Sequence, residues 1–255
     1  MKFLSIGELV RRDGLRLVLV QGAPSPWGQA VKAMMEYKGL DFVCGPQIPG
    51  ADNAELVAWA GVNSGPVLAW NDHRPLNRWN DILFLLERLA PHRPLVPEAP
   101  AERVEALGLA HEICGELGLG WNRRLSLFKP AMQSGQAPAP LTSMSRKYGY
   151  NEADVGAAVQ RQVAMLAHLD ATLAAQRARG SEFLVGPRLT AVDFYWAAFC
   201  CIFATLPEAQ CPMAAGTRAM FEGTLEPEVR AALSPALLAH RDRIMAAHFK
   251  LPMEF

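Results

Sequence analysis

The sequence predicts an α/β unit over its first ninety or so residues and an all-helical unit after it. Three observations carry that class. Short apolar runs alternate with helix-patterned segments as far as residue 89, the signature of strands and helices packed in layers. PHRPLVPEAP (91–100) then places four prolines in ten residues, an extended linker that marks the domain boundary. Beyond it only helical periodicity recurs, so the division is 1–92 and 101–255.

Taken in order, LRLVLVQG (15–22) is a Leu/Val run of the kind that forms a buried strand. Residues 26–39 follow with Ala30, Val31, Met34 and Met35 near helical spacing, and Gly39 stands where a helix ends in the left-handed region. DFVCGPQI (41–48) predicts a second strand, and NAELVAWAG (53–61) a short helix stopped by Gly61. PVLAW (66–70) predicts a third strand, with NDHRPL after it as a turn and a short partner strand. NDILFLLERL, up to Leu89, is strongly amphipathic. In the second half, helical patterns cover 101–120, 151–179, 190–206 and 228–248, and KPAMQSGQAPAPLTS (129–143) reads as a long Pro-rich loop.

Composition narrows the function classes. Acidic and basic residues balance at 25 each, so no global field draws the chain to nucleic acid or an anionic membrane. No uncharged apolar run reaches the roughly 18 residues of a membrane span, and the N-terminal MKFLSIGELVRR lacks a secretory h-region. Five cysteines without metal-ligand spacing predict reduced, buried thiols in a cytoplasmic protein and no metal site.

Candidate chemistry begins at GAPSPWGQAVK. Ser25 stands at a strand-to-helix junction with Pro26 as a natural first helical residue. Its hydroxyl suits two uses, an N-cap for the helix or a hydrogen-bond donor to a ligand. Further on, Thr190 and Asp193 fit a capping box, with Asp193 reaching back to the amide of the cap residue.

Three stretches carry a resemblance to a known family. SPWGQAVKAMMEYKGLDF resembles the segment after the first strand of serine-type soluble glutathione transferases. SGPVLAW resembles their Val-Pro-Val-Leu segment, whose proline is cis, and FLVGPRLTAVDFYWA (183–197) resembles their Gly-x-x-x-Ser/Thr-x-x-Asp helical motif. The resemblance implies a thioredoxin-like N-terminal domain, a helical-bundle C-terminal domain, a homodimer, and glutathione as co-substrate. It implies Ser25 as the group that steadies the glutathione thiolate. Trp27, Gly65, Pro66, Val67, Arg78, Trp79 and Asn80 would then line the glutathione site, and Trp121, Arg124 and Tyr148 the pocket for a small apolar electrophile. One departure stands out. Arg78 and Trp79 occupy the places where the family has a Glu/Gln-Ser pair for the γ-glutamyl carboxylate. Arg78 suits a carboxylate bidentately, whereas Trp79 fills space a small residue leaves open. The alternative is therefore a non-catalytic protein of this fold that binds another small molecule or a protein partner.

Overall fold

The computed structural model describes residues 1–223 and 225–255. They divide into two compact units, residues 1–94 with 207–214 and 248–255, and residues 95–206 with 215–247. The first unit runs α1 (Ile6–Val10), β1 (Leu15–Val20), α2 (Pro26–Tyr37), β2 (Phe42–Gln47), α3 (Ala54–Ala60), β3 (Val67–Trp70) and α4 (Trp79–Leu89). The strand order is β2-β1-β3, with β1 parallel to β2 and antiparallel to β3. A parallel pair needs a crossover connection, and α2 supplies it. The partner strand expected after NDHRPL is reduced to a single bridge between Leu76 and Leu68.

Helix α1 was not anticipated by periodicity because it is only five residues long. Its signal lies in Ser5 and Glu8. The Ser5 amide donates to the Glu8 carboxylate at 2.9 Å, and the Glu8 amide donates to Ser5 Oγ at 3.3 Å.

The far ends of α2 and α4 are joined through one buried cation. Lys38, 1% exposed, donates from Nζ to the carbonyls of Ala90 at 3.0 Å and Arg93 at 2.7 Å, and meets the Glu87 carboxylate at 2.8 Å. Three acceptors match the three donors of the ammonium group, so this buried side chain has no unmatched N–H. Arg93 in turn donates to the Tyr37 carbonyl.

The second unit contains α5 (Pro100–Cys114), α6 (Leu119–Gln133), α7 (Ala139–Lys147), α8 (Glu152–Ala178), α9 (Ala191–Cys200), α10 (Ala215–Gly223), α11 (Pro227–Ala232) and most of α12 (Pro235–His248). Three expectations are corrected. The helical run 101–120 is two helices separated by a turn in which Leu117 has φ 60°, and the run 228–248 divides between α11 and α12. The expected 129–143 loop is mostly helix, since α6 continues through Pro130 and α7 starts at Ala139. Proline is tolerated in a helix's first turn, so a Pro-rich stretch can mark a helix start as well as a loop.

Helix α9 is the core of this unit, and every one of its ten residues is buried. Asp193 organises its entry. Its carboxylate accepts the amides of Leu184 at 3.0 Å and Thr190 at 2.9 Å, the Thr190 hydroxyl at 3.1 Å, and Nε2 of His240 at 3.0 Å. The expected reach from Asp193 back to the Thr190 amide is therefore present, with three more donors that periodicity could not reveal. Helix α6 approaches α9 at Gly120, where a Cβ would lie 2.2 Å from the Phe199 ring. The five cysteines are all buried.

Candidate functional site

The register of the sheet brings three pieces of the first unit to one edge. Val67 lies opposite Val18, and a Cβ at Gly65 would stand 3.2 Å from the Val20 amide nitrogen, so the chain before β3 runs beside the C-terminal end of β1. The segment leaving that end becomes Ser25 and α2. The Leu76–Leu68 bridge then returns the chain in the β1 direction, which sets Arg78 and the start of α4 toward the same edge. Two helix N-termini thus share that edge with the strand entry at Gly65-Pro66. Helix N-termini present amides without intrahelical acceptors and carry partial positive charge.

Ser25 is the N-cap residue of α2 by backbone geometry, with φ −60° and ψ 119°, yet its side chain makes no cap hydrogen bond. Its amide donates to the Ala23 carbonyl at 2.8 Å, and its carbonyl accepts the Gln29 amide at 2.9 Å. The hydroxyl of this nearly buried residue is therefore not engaged in capping. The sequence left capping and ligand donation open, and the geometry removes the first.

Pro66 follows a cis peptide bond from Gly65, as the resemblance implies. Val67 is fully buried in β3, so its side chain belongs to the core while its backbone lines the edge. A Cβ at Gly65 would sit tightly against the β1 backbone, 3.2 Å from the Val20 nitrogen. Arg78 is the N-cap residue of α4, exposed, with no side-chain cap bond and no ion pair among the described residues. Trp79 and Asn80, half-buried, form the first two positions of that helix, and Trp27 is half-buried at the second position of α2.

The three residues expected in a second-substrate pocket separate within the helical unit. Trp121 and Tyr148 do meet, with ring centroids 4.8 Å apart, and the Trp121 indole N–H donates to the Tyr148 carbonyl at 3.1 Å. They pack with Tyr150 against Leu125, Val155 and Ala158. Arg124 goes elsewhere, its guanidinium lying 5.7 Å from the Phe221 ring centroid. Its neighbour Arg123 points into the protein. It is fully buried, with Nε donating to the Ile202 carbonyl at 3.0 Å, and desolvation brings its pKa down to about 10. The fold also gathers Glu112, Glu116, Asn122, Arg161 and His168 around a cavity of about 430 Å³ in this unit.

Sequence reasoning missed the residues that hold α2 from outside. Lys32, 3% exposed, pairs with Glu36 at 3.0 Å and faces Glu254 at 3.9 Å, and the side chain of Gln29 donates to the Glu254 carbonyl at 3.1 Å. The i,i+4 spacing of Lys32 and Glu36 was the visible signal, while Glu254 lies more than 200 residues away.

The architecture has counterparts among solved structures. A glutathione S-transferase domain-containing protein from Marinobacter aquaeolei superposes with a TM-score of 0.63 at 19% identity, covering 91% of this chain and 98% of that one. A rice glutathione transferase in complex with glutathione gives 0.61 at 21% identity, covering 95% and 94%. The Methylobacterium radiotolerans glutathione S-transferase, in complex with glutathione sulfonate, gives 0.59 at 20% identity, covering 94% and 97%. No family model matches the sequence, and no curated protein sequence matches it either. The chain therefore has the fold of the glutathione transferases, a thioredoxin-like unit followed by a helical one, along nearly its whole length. Among the described residues no helix is long and apolar enough to cross a membrane.

Proposed function

We propose that the protein binds glutathione at the edge of the first unit and transfers it to a small apolar electrophile. The observation that carries this reading is a Ser25 hydroxyl at the start of α2 that the helix does not use. A thiol with pKa near 8.5 is mostly protonated at neutral pH, and a hydroxyl donor at the positive end of a helix favours its anion. Ser25 Oγ–H donates to the glutathione sulfur with Trp27 beside it. The thiolate attacks the electrophilic carbon, forming the S–C bond as the leaving group departs with its electron pair. Gly65, Pro66 and Val67 offer backbone to the extended peptide in strand-like fashion. The exposed Arg78 guanidinium takes the γ-glutamyl carboxylate bidentately, with Asn80 and the α4 N-terminus in support and Trp79 against the peptide. Solved structures of the same fold hold glutathione or glutathione sulfonate, which supports that ligand class. Trp121 and Tyr148, which the fold brings together, are the side chains for the electrophile, and the working form is a cytoplasmic homodimer, checked by light scattering.

The test is calorimetric titration with glutathione and an S-alkyl-glutathione, followed by a conjugation assay. Saturable binding at millimolar ligand or below and a measurable rate are expected. Arg78 and Trp79 favour a second reading, in which the same fold binds another acidic small molecule without catalysis. Absence of any thermal shift at millimolar glutathione selects that reading.

A further inference from the structure

The segment from His248 to Phe255 lies along α2 in reverse register. The His248 ring meets Tyr37 edge-on with centroids 5.5 Å apart, and Lys250 pairs with Glu36 at 3.3 Å. Further on, the Glu254 carboxylate stands 3.9 Å from Lys32, and the Glu254 carbonyl accepts from Gln29 Nε2 at 3.1 Å. Contacts thus step from the last residue of α2 to within one turn of Ser25. Met253 is 3% exposed, and its amide donates to the Gln210 carbonyl at 2.8 Å, so the segment is seated rather than loosely apposed.

Gln29 joins the two ends of this arrangement. Its main-chain N–H donates to the Ser25 carbonyl at 2.9 Å, and its side-chain amide donates to Glu254. At 4% exposure the Gln29 side chain is packed in place against the Glu254 carbonyl while its amide closes the first turn of α2. A helix start that must be ordered when a ligand arrives loses affinity by the entropy of that ordering, and a contact that orders it beforehand restores the affinity. Coupling of this kind is reciprocal, so a ligand that favours the ordered helix start also favours the seated segment.

We propose that residues 248–255 form a strap whose seating on α2 is coupled, through Gln29 and Lys32, to occupancy of the Ser25 site. Glu254 is a positioning residue in this arrangement and touches no reacting atom. The proposal rests on the glutathione reading above and adds to it a regulated element: whatever loosens the strap weakens the site, and whatever fills the site tightens the strap.

The experiment uses the full chain with S-hexylglutathione as probe and reads two quantities. The first is hydrogen exchange of the 248–255 segment, including the Met253 amide, with and without the probe. The second is the probe's Kd for the wild-type chain and for Glu254→Lys, a reversal at a side chain 44% exposed that leaves the core intact. Expected are a severalfold slower exchange of the strap when the probe is bound and a Kd raised about tenfold in Glu254→Lys. Binding with strap exchange unchanged, or a Glu254→Lys Kd within twofold of wild type, overturns the coupling and leaves the glutathione reading standing. Tighter binding in Glu254→Lys also overturns it, because the strap would then obstruct the site. No binding of the probe to the wild-type chain overturns the glutathione reading, and the coupling falls with it.

Discussion

Helices α2 and α9 both begin at a hydroxyl residue with extended backbone, Ser25 in one and Thr190 in the other. At α9 the third helical position is Asp193, whose carboxylate reaches back to the Thr190 amide and hydroxyl and also takes Leu184 and His240. At α2 the first position is Pro26 and the third is Gly28, which has no side chain to reach back with. The α9 start is closed and buried, every polar group matched inside the protein. The α2 start leaves its hydroxyl without that internal closure. A fold uses the first kind of helix start to fix its core, and the second kind is where it can meet a ligand.

The contrast breaks most visibly at Asp193. Replacing it by alanine leaves four buried donors without their acceptor, a loss of about 3–5 kcal/mol in stability, seen as a lowered urea midpoint. A loss below about 1 kcal/mol would mean that the α9 start is no more closed than an ordinary cap.

Ser25→Ala is the reciprocal experiment. Since the hydroxyl does no capping, stability changes by less than about 0.5 kcal/mol, where a working N-cap costs about 1. The conjugation rate falls on the order of 10²-fold, the effect of removing one donor to a developing or held anion. The opposite pair of results, a full capping loss with an unchanged rate, would place Ser25 in the same class as Thr190.

Arg78→Ala sharpens the picture at the second helix start of the site. Glutathione affinity drops about tenfold, read by calorimetry, while a ligand lacking the γ-glutamyl carboxylate is bound equally by both forms. Equal loss for both ligands would assign Arg78 to general electrostatics instead of carboxylate recognition.

The smallest effect concerns pH. The Glu254 carboxyl is held below its ordinary value, chiefly by the hydrogen bond from the Met1 amine and further by the cations of Lys32 and Lys250. A carboxylate depressed in the folded state contributes its share above the unfolded pKa, about 4.3, and loses it as pH falls through the folded value. Protection of the 248–255 segment, taken relative to the intrinsic exchange rate at each pH, therefore stays flat from neutrality to about pH 5 and falls below it. Glu254→Gln removes that acid step.

The amino-acid order alone determined the class of the fold, because strand runs, helical periods and a proline-rich break are local features. It also determined the starts of α2 and α4 and the α9 capping pair, since each depends on neighbours a few residues apart, while the cis form at Pro66 came only with the family resemblance. Where local chemistry admits two answers it left the choice open or misplaced it. Proline suits a loop and a helix start alike, so α7 and the end of α6 read as loop. What Lys38 and Arg123 do depended on acceptors supplied by carbonyls 50 to 100 residues away, and only packing brings those carbonyls to them. The same holds for the site. The residue types at Ser25, Gly65 and Arg78 are written locally, but strand register set them toward one edge, and tertiary contact placed Glu254 on the helix that Ser25 begins. Hydrogen bonding within a turn is a property of sequence neighbours, whereas burial and charge pairing across the chain are decided by which distant surfaces exclude water together.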